Sequence, residues 1–463
     1  MFMTTLSLHN TLARAKQLFV PLDPKNIRIY LCGPTVYDRA HLGNARNVIM
    51  FDVLFRVLRR LYGEAHVTYV RNFTDIDDKI NAKASEIGRS IAQITQETTA
   101  WYLQDMADLG NLDPTHMPRA TAYVPQMIQM IENLINAEHA YAADGHVLFA
   151  VDSYTDYGRL SGRTIDDMLA GARVEVAPYK RNPMDFVLWK PSSGDQPGWQ
   201  SPWGFGRPGW HIECSAMSLD LLGESFDIHG GGNDLTFPHH ENEIAQSCCA
   251  HDGKPFAKYW LHNGFINIEG EKMSKSLGNF RMGNDLLDLY PGEVLRYVIL
   301  SAHYRSEQNF SKDLLDSAWR SLDSLYGYLR GEADAEPRLD RDSAGYTALL
   351  DDLNTPVAIS EIYRMAKEMH GATGDAKSQL HSQLMGLANL MGLLQQDPEQ
   401  WFKQARGGDA GAINEAEIEA AIAKRQQAKA DKDYAGADQV REDLLAQGIV
   451  LEDSREGTTW RRS

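Results

Sequence analysis

The sequence predicts an α/β protein: a nucleotide-binding domain built on a parallel sheet and split by an insertion, then a helical bundle, then a small C-terminal module. Three observations predict it. Strand-like and helix-like patterns alternate around glycine-containing loops in the first half. A stretch rich in Gly, Pro, Ser and Trp interrupts that alternation, and helical periodicity takes over from Leu314. A length of 463 residues suits about three domains.

Ile27 to Cys32 reads as a short buried strand broken by Gly33-Pro34, after which Phe51, Leu54, Phe55, Leu58 and Leu61 recur at helical spacing up to Gly63. His66 to Val70 is a second strand, so the three elements open a parallel βαβ unit whose ligands lie beyond the carboxyl ends of the strands. Helical stretches Ile91 to Leu109 and Val124 to Ala137 lead into the interrupting region, Gly145 to Gly206, with β-like runs such as His146 to Val151. Ser225 to His229, the loop Gly230-Gly231-Gly232 and a helix through Glu241 to Ala250 resume the α/β pattern. From Leu314 to Leu394 the pattern is helical, with Leu322, Leu325, Tyr326 and Leu329 on one face. Lys403 to Ala412 has linker composition, and Glu415 to Leu445 forms one or two charged helices.

With 43% hydrophobic, 24% charged and 9% aromatic residues, the chain is neither disordered nor fibrous. Lys+Arg 46 against Asp+Glu 63 gives a net charge of −17, which excludes a uniformly basic coat for nucleic acid but leaves room for a local phosphate-binding face. No run approaches the roughly 18 apolar residues of a membrane span, and Met1 to Pro21 is too polar for a signal peptide, so a cytoplasmic protein without membrane contact is expected. The four cysteines, Cys32, Cys214, Cys248 and Cys249, are too few for a disulfide scaffold and point to metal or core roles.

Two segments have residues suited to phosphate, although each standing alone reads as well as an ordinary turn or a solvated basic loop. His41-Leu42-Gly43-Asn44 sits between the first strand and its helix, where free backbone N–H groups and the helix dipole favour an anion. Lys272-Met273-Ser274-Lys275-Ser276 places two ammonium groups three residues apart, able to neutralise a triphosphate as it gains charge. Separately, His239 and Glu243 are four apart and face one way on a helix, and Cys32 and Cys214 follow strand-like or turn-like segments able to converge with them. Two thiolates, an imidazole and a carboxylate suit zinc, although spacing alone leaves His240 as an alternative to His239.

The order of the two phosphate motifs resembles that of class I aminoacyl-tRNA synthetases. The closer resemblance is to bacterial cysteinyl-tRNA synthetases, through Cys32-Gly33-Pro34-Thr35-Val36-Tyr37-Asp38, Thr74-Asp75-Ile76-Asp77-Asp78-Lys79, Gly209-Trp210-His211-Ile212-Glu213-Cys214-Ser215-Ala216-Met217 and Phe237-Pro238-His239-His240-Glu241-Asn242-Glu243, over Leu8 to Arg462. That resemblance implies a Rossmann-type catalytic domain in two halves, 1–120 and 207–263, around a connective insertion at 121–206. It further implies a KMSKS loop and stem-contact region at 264–313, a DALR-type bundle at 314–400 and an anticodon-binding module at 401–463. It implies activation of L-cysteine by ATP with Mg²⁺ and transfer to the 3′ adenosine of tRNA(Cys), by a monomer holding one Zn²⁺.

By residue, the resemblance assigns catalysis to His41, Asn44, Lys272 and Lys275, and ATP binding to His41, Gly43, Asn44, Gly231, Gly232, Asp234 and Lys275. Thr74 and Trp210 are expected at the substrate cysteine, Cys32, Cys214, His239 and Glu243 at the zinc, and Lys429, Tyr434, Asp438 and Asp453 at the anticodon. Lys424, Arg425 and Lys429 on one helix, with Trp460-Arg461-Arg462, offer cations and a stacking surface for bases. Asn44 stands where the family more commonly has a second histidine; it donates to phosphate without carrying charge. Zinc separates cysteine from serine because a thiolate is a far better ligand than a hydroxyl. The residues argue against three rival functions. A ligase joining cysteine to a small amine, as in mycothiol synthesis, has no use for 403–463; a zinc hydrolase would need His-Glu-x-x-His, but position 244 is Ile; and an inactive tRNA-binding remnant would not retain both charged loops.

Overall fold

The computed structural model describes residues 5–163, 177–194, 196–268, 271–272, 283–332, 335–404, 413–453 and 457–462. Strands β1 (Ser7–Asn10) and β2 (Ala15–Leu18) form a hairpin that the sequence patterns do not signal. It leans on the main sheet, where Asn10 accepts from Trp260 N and donates to the Lys258 carbonyl. Next come β3 (Ile27–Leu31), helix α1 (Leu42–Tyr62) and β4 (Val67–Arg71), the expected βαβ opening. Helices α2 (Asp78–Ile87), α3 (Ile91–Asp108) and α4 (Val124–Asn136) lead to an antiparallel sheet of β5 (Ala140–Ala143), β6 (His146–Phe149), β7 (Phe186–Pro191) and β8 (Gly206–Pro208). That sheet is the insertion.

The parallel sheet then resumes. Helix α5 (Trp210–Leu222), β9 (Phe226–Gly232), α6 (Glu241–Ala250) and β10 (Ala257–Asn263) complete it in the order β10-β9-β3-β4, all strands parallel. The chain runs from β3 to one side and returns to the other, so a switch point lies between β3 and β9, the place where such sheets bind ligands. Strands β11 (Ile266–Ile268), β12 (Glu271–Lys272) and β13 (Gln308–Phe310) form a small mixed sheet around helices α7 (Gly283–Leu287) and α8 (Gly292–Leu300).

Helices α9 (Lys312–Leu329), α10 (Ala344–Leu350), α11 (Thr355–Gly371), α12 (Gly374–Met391) and α13 (Pro398–Lys403) make the helical bundle. The last module has helices α14 (Glu415–Ala430) and α15 (Tyr434–Ala446), and a hairpin, β14 (Ile449–Asp453) and β15 (Thr458–Arg462), absent from the sequence expectation. Among the described residues no helix is long and apolar enough to cross a membrane.

Helix α1 is buried on almost every side, and its buried list includes Arg46, Asn47 and Asp52 beside Ile49, Phe51 and Leu54. Buried charge must be paired. Asp52 accepts from Leu112 N at 2.8 Å, from Arg56 Nε at 2.8 Å and from the Arg296 guanidinium. Arg296, itself fully buried on α8, also donates to the Met391 carbonyl at 2.6 Å and the Leu109 carbonyl at 3.2 Å, so one side chain ties α1, α3, α8 and α12 together. Gly392 turns the chain away at φ +60°, and a Cβ there would lie 2.7 Å from the guanidinium. Arg296→Met, which leaves Asp52 with Arg56 alone among its cations, should cost about 3 kcal/mol in urea unfolding followed by circular dichroism; an unchanged midpoint would show the junction to be held by packing alone.

Candidate active site

A cleft of about 440 Å³ opens at the carboxyl ends of β3, β9 and β10, lined among others by Cys32, His41, Asn44, Trp210, Asp234 and Asn263. Its floor is set by close backbone approach. Gly33 follows β3 so tightly that a Cβ would sit 1.6 Å from the Asn72 carbonyl oxygen, and Gly33 N donates to Asn72 Oδ1 at 2.9 Å.

One wall is the head of α1. His41 is its N-cap: Nδ1 accepts from Gly43 N at 3.1 Å, and Asn44 Oδ1 accepts from His41 N at 3.2 Å. Asn44 therefore closes a reciprocal cap with its oxygen, a task the carboxamide can combine with donation from its nitrogen. Gly43 also lines the cleft, and the helix dipole points its positive end there. Across the cleft stand Gly232 and Asp234. Gly231 does not line it; a Cβ there would press on Leu235 at 2.7 Å and His240 at 2.9 Å, so this glycine serves packing rather than approach to a ligand.

The opposite end holds Cys32, Cys214, His239 and Glu243, all buried, with donor atoms within 4.8 Å of one another. They come from four places: the end of β3, the middle of α5, the turn Thr236–His240 and the first turn of α6. The sequence sets Cys214 after a strand-like or turn-like segment; it lies inside a helix instead, because α5 buries polar Glu213, Ser215 and Ser218 beside Ile212, Ala216 and Met217 and so shows no helical stripe. Cys32 Sγ is 3.6 Å from Cys214 Sγ and 3.5 Å from Glu243 Oε1, and Cys214 Sγ is 3.7 Å from His239 Nε2. A tetrahedral zinc about 2.3 Å from each sulfur would hold them roughly 3.7 Å apart, whereas a disulfide needs about 2.05 Å, so the spacing fits an ion.

Electrostatics agree with the spacing. A hydrogen bond from Cys32 and another from His239 bring the Cys214 thiol down to about 6 against its burial. Burial and the neighbouring Cys214 sulfur push the Cys32 thiol well up. Burial opposes charge on His239, but Glu243 and Cys214 outweigh it and raise the ring to about 10. Glu243 Oε1 meets His239 Nε2 at 2.8 Å and Oε2 meets His229 Nε2 at 2.7 Å, and despite burial these two rings hold its carboxyl well below the usual range.

Around these donors lies a shell of histidines that spacing did not reveal. His211 Nδ1 is 2.9 Å from His239 Nδ1, and His240 Nδ1 is 2.8 Å from His262 Nε2; burial lowers His211 and His262 to about 3. A second group, Cys32, His229, His240 and Glu243, also brings four donors within 4.8 Å, so the His240 alternative survives as geometry. The first group has two sulfurs and includes His239, on which Trp210 stacks at 3.9 Å with an interplanar angle of 18°. Trp210 is 39% exposed and walls the cleft beside the donors.

Other expected residues fall elsewhere. Thr74 is buried and turns its hydroxyl onto Glu213 Oε2 at 2.9 Å, while its backbone pairs with Pro34 and Val36, so it braces the cleft floor from below. Lys272 lies on β12 opposite Asn267, and Lys275 lies outside the described residues. In the C-terminal module Tyr434 and Asp438 are exposed, but Asp453 is held by Arg425 at 2.7 Å through both oxygens and by Lys429 at 3.4 Å. Trp460 offers no stacking surface. It is 2% exposed, packs in the module's core with Ile418 and Leu451, and donates to Glu419 at 2.8 Å.

Comparison with known proteins gives this geometry a family. Residues 18–320 match the family model for the class I (C) tRNA synthetase catalytic domain, 346–395 the DALR domain and 415–461 the cysteinyl-tRNA ligase anticodon binding domain. The cysteine–tRNA ligase of Paramagnetospirillum magneticum is 57% identical over 99% of each chain, and that of Saccharophagus degradans 55% identical over 99% of this chain and all of its own. Among solved structures, methionyl-tRNA synthetase of Mycobacterium tuberculosis shares the fold at TM-score 0.56 and 14% identity, covering 84% of this chain and 96% of that one. Metal content separates the two donor groups: Cys214→Ser should leave purified protein with less than about a tenth of a bound ion per chain by mass spectrometry while His240→Ala retains it. The reverse pattern would assign the ion to the second group.

Proposed function

The chain belongs to the cysteine–tRNA ligase family, and from that premise we propose that its cleft activates L-cysteine with ATP and passes it to the 3′ adenosine of tRNA(Cys). The observation that carries the reading is the arrangement of the cleft, with an anion-binding helix head on one side and a buried two-thiol donor set at the other. A cysteine seated with its side chain at Cys32 and Cys214 has its carboxylate free to point toward His41 and Asn44.

In the first step a carboxylate oxygen of cysteine attacks the α-phosphorus of MgATP in line, and the bond to the bridging oxygen breaks to release pyrophosphate. In the second the 2′-hydroxyl of the terminal adenosine attacks the activated carbonyl, loses its proton and displaces AMP. The side chains position and neutralise more than they bond. His41, Gly43 and Asn44 hold phosphate oxygens, Gly232 and Asp234 take the adenosine, and Lys272 with Lys275 balances the charge that grows on the α-phosphate and pyrophosphate. Trp210 closes over the substrate side chain.

Cys32, Cys214, His239 and Glu243 would hold a zinc ion, which when bound would supply a soft acceptor for the substrate thiolate that serine cannot match. The polar shell suits that role: His211 and His229 brace His239 and Glu243, so the donors are already oriented. Apolar contact alone separates similar side chains by only about 1–3 kcal/mol, so a coordinate bond removes the need for editing. In the C-terminal module, exposed Tyr434 and Asp438 are the proposed base contacts, with Lys429 shared between Asp453 and the nucleic acid. That module favours tRNA over a small amine as acceptor.

The direct test is incorporation of labelled cysteine, with serine as competitor, into acid-precipitable tRNA. Cysteine-specific, base-labile label is expected; no label from metal-loaded protein with competent tRNA would overturn the reading. Lys275→Ala should lower cysteine-dependent ATP–pyrophosphate exchange about 10²- to 10³-fold with metal content unchanged, and a full exchange rate would remove this lysine from the mechanism.

A further inference from the structure

Arg46 lies two residues beyond Asn44 on α1, is 1% exposed, and takes no part in the chemistry above. Its guanidinium faces the segment that carries Lys272. Nη1 donates to the Phe265 carbonyl at 2.7 Å; Nη2 donates to the Ser306 carbonyl at 2.5 Å and to those of His303 and Tyr304 at 3.3 Å each.

These carbonyls mark the place where two strands begin. Phe265 also accepts from Gln308 N at 3.0 Å, and Gly264 N donates to the Tyr304 carbonyl at 2.8 Å. The two segments run so close that a Cβ on Gly264 would lie 2.4 Å from the Ser306 oxygen. From there β11 pairs in parallel with β13, Ile266 opposite Gln308, and antiparallel with β12, Asn267 opposite Lys272. One guanidinium therefore clamps the starts of β11 and β13, and Lys272 pairs with Asn267, two residues along β11 from the clamped Phe265.

We propose that Arg46 is a positioning residue for ATP activation, setting the separation between the His41–Asn44 turn and the β-hairpin that carries Lys272. The two phosphate-binding motifs are about 230 residues apart in sequence, and α1 is the element that joins them: the turn is its N-cap and Arg46 projects from its second turn. Because the acceptors are backbone carbonyls, the clamp fixes the strand whatever side chains it bears. A planar fork with several donors can span four carbonyls on two segments, which a lysine cannot. The proposal rests on the assignment of Lys272 made above.

The test is a double-mutant cycle on the full-length, metal-loaded enzyme. Cysteine-dependent ATP–pyrophosphate exchange is measured for Arg46→Gln and Arg46→Lys, alone and combined with Lys272→Ala, with active sites counted by stoichiometric adenylate formation. Arg46→Gln should lower kcat about 10²-fold, since misplacement of about 1 Å costs that much, while KM for cysteine changes less than roughly threefold and Arg46→Lys falls between. In the Lys272→Ala background the same substitution should cost under about threefold, because its effect runs through Lys272.

Equal losses in both backgrounds, a parallel rise in KM for cysteine, or a loss explained by fewer active sites would overturn the proposal. If Arg46→Gln does not fold, Arg46→Lys carries the same cycle. Lys272→Ala at the wild-type rate would sink the assignment of Lys272 and the proposal with it, a result distinct from additivity.

Discussion

Everything in the catalytic half is arranged to keep two thiols, an imidazole and a carboxylate together out of water. Such groups are costly to bury unless each is paired. The pairing is visible: Glu243 lies between His239 and His229, His239 is backed by His211 and capped by Trp210, and Cys214 is held low by its bonds from Cys32 and His239. The four donors arrive on separate elements of the parallel sheet, so they meet only once β3, β9, α5 and α6 have packed.

Helix α1 is the second organising feature. Its N-cap faces the cleft, Arg46 in its second turn clamps the small mixed sheet, and Asp52 one and a half turns later meets Arg296 at the junction with the bundle. A single buried helix thus relates the phosphate site to the strand bearing Lys272 and to the helices that lead to the C-terminal module. Arg330 continues the line, with Glu399 on one side and Glu452 of the last module on the other. The catalytic half and the bundle share one apolar core, whereas the last module has a small core of its own and meets the bundle at this charge pair.

Much of this was legible from residue order. The β3–α1–β4 unit has clear periodicity, the helix Glu241–Ala250 begins and ends where expected, and the donor quartet follows from residue type once the family resemblance selects His239. What escaped did so for physical reasons. Helix α5 buries polar and apolar residues side by side and lacks an amphipathic stripe, which hid the setting of Cys214. Strand β10 carries His262 near its end, and the partners of that ring, Thr11 and His240, are distant in sequence. Trp460 resembles a base-stacking residue by composition, but a module this small needs a large side chain at its centre. Thr74 belongs to a motif beside the cleft yet turns its hydroxyl onto Glu213, a distinction of side-chain direction that spacing does not encode. His211, His229 and His262 show in the sequence as three ordinary histidines; only the fold gathers them.

Selection of cysteine, as proposed, turns on zinc in this donor set meeting the substrate through its sulfur. X-ray absorption at the zinc edge, on the full-length enzyme with and without L-cysteine, is the deciding measurement. Two sulfur scatterers at about 2.3 Å are expected in the free enzyme, a third on addition of cysteine, and no change on addition of serine. A sulfur count that stays at two with saturating cysteine would contradict it and place amino-acid selection elsewhere in the cleft.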